Sequence, residues 1–265
     1  MQETVYFAHA NGFPGACYQQ MFNYLMDDFN VEYVDSLGHQ AEYPITQNWE
    51  HLVWELIYHI EKHHAVPIIG VGHSLGGILT YLAGVHKPEL FKAIVMLDTP
   101  ILGPWKSYFV SLLKKMNLID NITPGKRTKQ RRQHWPSAAH AFDYFKSKTL
   151  FQNFTDSCLR DYVTYGMEQI PEGLQLRFRR EVEYQIYRTL PHNLPKYSDK
   201  LLIPAGVLYG ANSNVIKAAD VRYLNQRLQL PCQVVSGGHL FPFEYPEESA
   251  KMLKKMIEQL LICYA

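Results

Sequence analysis

Residues 66–83, VPIIGVGHSLGGILTYLA, constrain the fold of this chain more than any other stretch. The first half is apolar and branched (Val66, Ile68, Ile69, Val71), as a buried strand requires. Beyond Ser74 the apolar positions Leu75, Ile78, Leu79 and Leu82 recur at helical spacing. A strand therefore passes into a helix within Gly72-His73-Ser74-Leu75-Gly76. So sharp a turn brings the residues two before and two after its apex nearly into contact, and both are glycine. Ser74 sits at the apex in a strained backbone conformation, its hydroxyl pushed beyond the sheet edge at the positive end of a helix.

The rest of the chain supplies a sheet for that turn. Residues 4–8 form a short buried strand that empties into His9-Ala10-Asn11-Gly12-Phe13-Pro14-Gly15, a loop dense in turn formers. Helix-spaced Tyr18, Met21, Phe22 and Leu25 lead to a second strand at 31–35 and the loop Ser36-Leu37-Gly38-His39. Trp49, Leu52, Val53, Leu56, Ile57 and Ile60 then mark one face of a helix. After the Ser74 helix, residues 93–97 give another apolar strand, closed by Asp98-Thr99-Pro100. Strands at 205–209 and 232–235 follow much later, the last running into Ser236-Gly237-Gly238-His239, and Pro246 starts a C-terminal helix.

This alternation implies an α/β class with a mostly parallel central sheet flanked by helices, whose ligands bind at the carboxyl ends of the strands. Residues 101–200 break the rhythm. They read as mostly helical, with Trp105, Tyr108, Phe109, Leu112, Leu113 and Met116 on one face, Ser137 as an N-cap, and a helix ending near Gly166. The expectation is a core of residues 1–100 and 201–265 with a helical cap, 101–200, inserted over the site.

Composition excludes several function classes. With a formal net charge of +1 in 265 residues, no global field recruits nucleic acid or an anionic membrane. Cys17, Cys158, Cys232 and Cys263 have neither metal-site spacing nor the density of a disulfide scaffold, so buried free thiols are expected and no metal or cofactor is called for. No apolar run approaches the roughly 20 residues of a spanning helix. A strand as early as residue 4 leaves no room for a signal peptide. The expectation is a cytoplasmic protein acting on a small molecule, without nucleic acid or stable membrane insertion; oligomeric state is not legible.

Four strand-end loops hold a serine, a histidine, an acid and an amide-rich turn, the inventory for acyl transfer through a serine ester. His239 is the candidate base, since neutral imidazole can take the serine proton at neutral pH. Its ring needs an acceptor, and here two loops compete. Asp98 ends one strand, whereas the loop after 205–209, where such an acid more often lies, offers only Asn212, Ser213 and Asn214. Asp98 is favoured because an amide stabilises imidazolium less. The backbone amides of Leu75 and Asn11 are the expected oxyanion donors, and His9 is expected to orient its loop.

These residues resemble the α/β-hydrolase fold family. The loop from His9 to Gly15, the Asp35–His39 loop, Gly72-His73-Ser74-Leu75-Gly76-Gly77, and Gly238-His239 with Glu244 and Pro246 carry the resemblance. Ala10 departs from it, standing where glycine is commoner. The segment Arg131-Arg132-Gln133-His134-Trp135-Pro136-Ser137, with Phe151, Leu159, Tyr162 and Gly166, is similar to a subgroup that includes fungal peroxisomal lipase-like hydrolases. The resemblance implies hydrolysis of an ester, thioester or lactone, with an apolar acyl or aryl pocket suggested by the cap's aromatics. Carbon-carbon bond hydrolysis and non-catalytic ligand binding are the alternatives. A basic run, Lys126, Arg127, Lys129, Arg131 and Arg132, reads as a solvated helix start or, more sharply, a landing site for an anionic group.

Overall fold

A computed structural model describes residues 2–263, the Cys263 side chain excepted, so the fourth thiol lies outside the described atoms. The first half of the chain builds β1 (Glu3–Ala8), α1 (Gln19–Asn23), β2 (Phe29–Tyr33), α2 (Glu50–His63), β3 (Ile68–His73), α3 (Leu75–His86) and β4 (Phe91–Leu97). Between β4 and the next strand of the main sheet come α4 (Pro104–Lys115), α5 (Gly125–Lys129), β5 (His134–Trp135), α6 (Ala138–Lys146), α7 (Asp156–Tyr165), β6 (Met167–Ile170), β7 (Gly173–Leu176) and α8 (Arg180–Arg188). The chain finishes with β8 (Ala205–Gly210), α9 (Ala218–Arg227), β9 (Cys232–Val235), α10 (Phe241–Glu244) and α11 (Pro246–Cys263).

The main sheet runs β2-β1-β3-β4-β8-β9, and every neighbouring pair is parallel. Covered on both faces, its central strands are apolar throughout rather than alternating: Ile68 to His73 are all buried. Val5 and Phe7 pack on one face with α1, α11 and Trp135, while Tyr6 and Ala8 pack on the other with α2, α3 and α9. Strand order reverses between β1 and β3, so the crevice beyond their carboxyl ends is where such a sheet takes a ligand. The His9 loop leaves β1 there, and Ser74 leaves β3.

Three details differ from the sequence reading. Strand β2 ends at Tyr33, two residues before expected, because Tyr33 is the last residue in register with β1, opposite Phe7. Strand β3 begins at Ile68, after Pro67, which has no N–H for the ladder, and Val66 is exposed. The segment between β4 and β8 is not helical alone: β5, β7 and β6 form a small antiparallel sheet there. Ser137 caps α6, accepting from the His140 amide, and α7 ends against Gly166. No helix among the described residues is long and apolar enough to cross a membrane.

Candidate active site

Ser74 adopts φ 53° and ψ −108°, left-handed strain on a residue with a side chain. Two glycines make the turn possible. A Cβ on Gly72 would fall on the backbone of Gly76, and one on Gly76 would fall on the Ala8 carbonyl. The Gly76 amide donates to the His9 carbonyl at 3.1 Å, clamping the turn to the β1 loop, while the Ser74 amide donates to Leu97 O at 2.9 Å. The serine is thereby fixed between the ends of β1 and β4, partly open to solvent. Its hydroxyl makes no hydrogen bond among the described residues.

His239 stands in the loop after β9, and its Nδ1–H donates to Asp98 Oδ2 at 2.7 Å. Asp98 is fully buried. Its other oxygen, Oδ1, accepts from the Gly210 amide at 2.9 Å, and Oδ2 also accepts from the Ser213 hydroxyl at 2.6 Å. Of the two competing loops, the one after β4 thus supplies the carboxylate that meets the imidazole. The loop after β8 supplies an amide and a hydroxyl that hold the carboxylate, and the ring bonds to Asp98 rather than to Asn212 or Asn214. With Nδ1–H committed to an acceptor, Nε2 keeps its lone pair.

In the β1 loop the Ala10 amide is occupied by the Tyr18 hydroxyl at 3.2 Å. The amides of Asn11 and Leu75 have no acceptor among the described residues, and the Asn11 side chain turns aside to donate to the Glu183 carbonyl at 3.0 Å. His9 accepts the Leu37 amide at Nε2 (2.9 Å) and donates from Nδ1 to the Ala10 carbonyl (2.8 Å). Burial pushes its pKa down to about 4, so the ring is a neutral brace between the β1 and β2 loops.

A model of the alpha/beta hydrolase family matches residues 5–252. The chain belongs to the alpha/beta hydrolase family. It is 20% identical to Karrikin insensitive 2 receptor IA of Petunia hybrida, over 97% of this chain and 90% of the relative. A crystal structure of E-2-(acetamidomethylene)succinate hydrolase superposes with a TM-score of 0.79 at 21% identity, covering 97% of this chain and 91% of that one. The peroxisomal alpha-beta-hydrolase Lpx1 of Saccharomyces cerevisiae gives 0.77 at 15% identity, over 99% of this chain and 78% of its own.

Two further residues tie the loops of this alpha/beta hydrolase together, and sequence reasoning missed both. Tyr18 accepts from the Ala10 amide and donates to His73 Nδ1 at 2.7 Å, and His73 Nε2–H donates to the His239 carbonyl at 2.9 Å. Burial raises the Tyr18 pKa and lowers that of His73, so both stay neutral. One buried chain of hydrogen bonds thus fixes the β1 loop, the serine turn and the histidine loop relative to one another. Helical spacing marks Tyr18 only as core; the signal available for His73 was its place next to Ser74. Tyr18→Phe leaves the His73 nitrogen and the Ala10 amide unpartnered, and should lower stability by about 1–3 kcal/mol in urea denaturation. An unchanged midpoint would remove this relay as a support of the site.

The basic run does not act as one patch. Arg131 is half-buried, its side chain 16% exposed, and donates to Glu183 Oε2 at 2.8 Å and to the Tyr162 hydroxyl. Burial works against its charge, but Tyr162 and Glu183 outweigh burial and hold its pKa above the usual value. Arg132 lies over the Trp135 and Tyr144 rings, and Lys126 donates to the Asn121 side chain. Among the aromatics of residues 101–200, Trp135 and Phe145 are buried in packing, whereas Trp105, Tyr108 and Phe109 face solvent. Cys17 and Cys158 are buried free thiols as expected, and Cys232 is half-buried rather than buried. No cluster of three or more His, Cys, Asp or Glu side chains fit to hold a metal occurs among the described residues.

Proposed function

We propose that the chain is a serine hydrolase that cleaves carboxylic esters, thioesters or lactones of apolar acyl or aryl compounds through an acyl-enzyme on Ser74. The observation that carries this reading is the 2.7 Å hydrogen bond from His239 to buried Asp98, beside a serine strained at a strand-to-helix turn. In the reaction Ser74 Oγ attacks the carbonyl carbon while His239 Nε2 takes its proton, and Asp98 stabilises the imidazolium that forms. The alkoxide on the tetrahedral intermediate accepts from the Asn11 and Leu75 amides, each worth about 2.7–4 kcal/mol of barrier. His239 then returns its proton to the leaving group. Water, activated by the same ring, releases the acid.

Residues 101–200 act as the cap over a core of 1–100 and 201–265. Supporting this, the segment touches the β1 loop directly: Phe13 packs against Phe151, Phe154 and Tyr162, and Asn11 bonds to Glu183. These contacts bury the four rings in one packed cluster.

Incubation with a fluorophosphonate, followed by intact mass and peptide mapping, tests the proposal. One adduct on the Ser74 peptide is expected, and none with Ser74→Ala. The second reading, a ligand-binding protein that keeps the fold without turnover, is favoured by similarity to a protein named as a receptor. Folded protein that takes no adduct would support it.

A further inference from the structure

Helix α4 carries its apolar face outward. Trp105, Tyr108 and Met116 are 87%, 69% and 57% exposed, and Phe109 and Leu112 are exposed with them. At 3.6 residues per turn these five share an arc of about 100°, while Ser107 and Val110 on the opposite arc are the residues buried against the body. Lys106 and Lys115 flank the stripe. From residue 104 to residue 129 the cations are Lys106, Lys114, Lys115, Lys126, Arg127 and Lys129, and the one acid is Asp120, which pairs with Arg188. Lys106 pairs with Asp220; the other five meet no carboxylate among the described residues.

Beside the stripe lies a cavity of about 390 Å³ lined by Ser111, Lys114, Lys115, Asn117, Arg188 and His192, among others. Ser111 and Lys115 each stand three residues from a stripe residue, Tyr108 and Leu112, whereas Lys114 lies on the opposite arc with Ser107 and Val110, so the cavity runs from the edge of the stripe toward the body. No acid lines it. Lys114 is held by a carbonyl, Leu190 O at 2.9 Å, and by His192 Nδ1 at 3.1 Å, which leaves its charge uncompensated.

We propose that this face adsorbs to an anionic lipid surface, α4 lying in the interface plane with its stripe at the acyl boundary and the adjacent cavity taking a phosphate-bearing headgroup. An outward aromatic and aliphatic stripe between lysines is the pattern of an interfacial helix. A second copy of the chain is disfavoured, because pairing the stripes would bring two strongly cationic segments together. An acidic protein is disfavoured because the exposed stripe is apolar and aromatic, with its lysines only at the flanks. The proposal is independent of turnover at Ser74.

The test is partition of the full chain onto vesicles of phosphatidylcholine alone or mixed with phosphatidylserine, read by co-sedimentation and by quenching of tryptophan fluorescence with brominated lipid. Binding to the mixed vesicles only, weakened by salt, is expected. Trp105→Ser with Phe109→Ser, both at exposed positions, should reduce partition at least about tenfold, and Lys115→Ala about fivefold. Equal binding to both vesicle types would overturn the proposal, as would no binding to either. So would a concentration-dependent dimer that the double variant dissolves, or retention on an acidic polypeptide without vesicle binding.

Discussion

On the proposed mechanism, Asp98→Asn is expected to lower kcat for ester hydrolysis by about four orders of magnitude while the protein stays folded. The size of the effect follows from how the carboxylate is held. Oδ1 accepts from the Gly210 amide, so an asparagine must place its carbonyl there; the reverse orientation would set NH₂ against N–H. The NH₂ then occupies the Oδ2 position and donates to His239 Nδ1. The ring is forced to carry its proton on Nε2, the nitrogen that has to accept from Ser74. Ser213→Ala removes one donor to the carboxylate and leaves the acceptor for the ring intact, so its loss should be only on the order of tenfold. Steady-state rates on a p-nitrophenyl ester series check both. Near wild-type turnover of Asp98→Asn, with Asn212→Ala inactive, would move the third role to the loop after β8.

The largest stability effect is expected at Glu183. Glu183→Ala leaves the Arg131 guanidinium, only 16% exposed, without its carboxylate, a loss of about 3 kcal/mol by chemical denaturation. The double change Arg131→Met with Glu183→Leu removes both charges and should recover most of that. Recovery is the informative part, because it separates an uncompensated charge from lost packing. The pair also abuts the β1 loop: Gly12, at φ 82°, faces the Glu183 carboxyl so closely that a Cβ there would stand 3.1 Å from its Cδ. The double variant keeps the Glu183 backbone carbonyl that Asn11 bonds to and loses only the carboxyl facing Gly12, so any remaining loss of activity reports that contact. Full turnover in the double variant would show that the pair serves stability alone.

The Ser74 turn was legible because two constraints coincide in one pentapeptide: a change of hydrophobic period and glycines at the only positions where backbone approaches backbone. The parallel sheet followed from continuous apolar runs, and the α6 cap from a serine ahead of an apolar face. What stayed hidden depends on contacts far apart in sequence. Tyr18 and His73 meet across 55 residues, and an apolar-looking tyrosine carries no mark of the hydrogen bonds it makes. Arg131 reads as one more cation in a basic run until Glu183, 52 residues on, pairs with it. Strands β5 to β7 are two to four residues long, too short for alternation to register. The stripe on α4 was found by its spacing, but periodicity says which residues share a face and not which way the face points.

The adjacency of β4 and β8 has a kinetic consequence. Ile94 pairs with Ala205, and closing a loop of about 110 residues costs about 4 kcal/mol of chain entropy before any ladder contact forms. Strands β1 to β4 meet no such delay. Ser74 and its glycine turn can therefore be in place on a growing polypeptide, but Gly210, Ser213 and His239, the groups that engage Asp98, all lie beyond the late closure. On the proposed mechanism, a nascent chain thus carries Ser74 well before it can use it, and competence for chemistry arrives only with the final strand pairing.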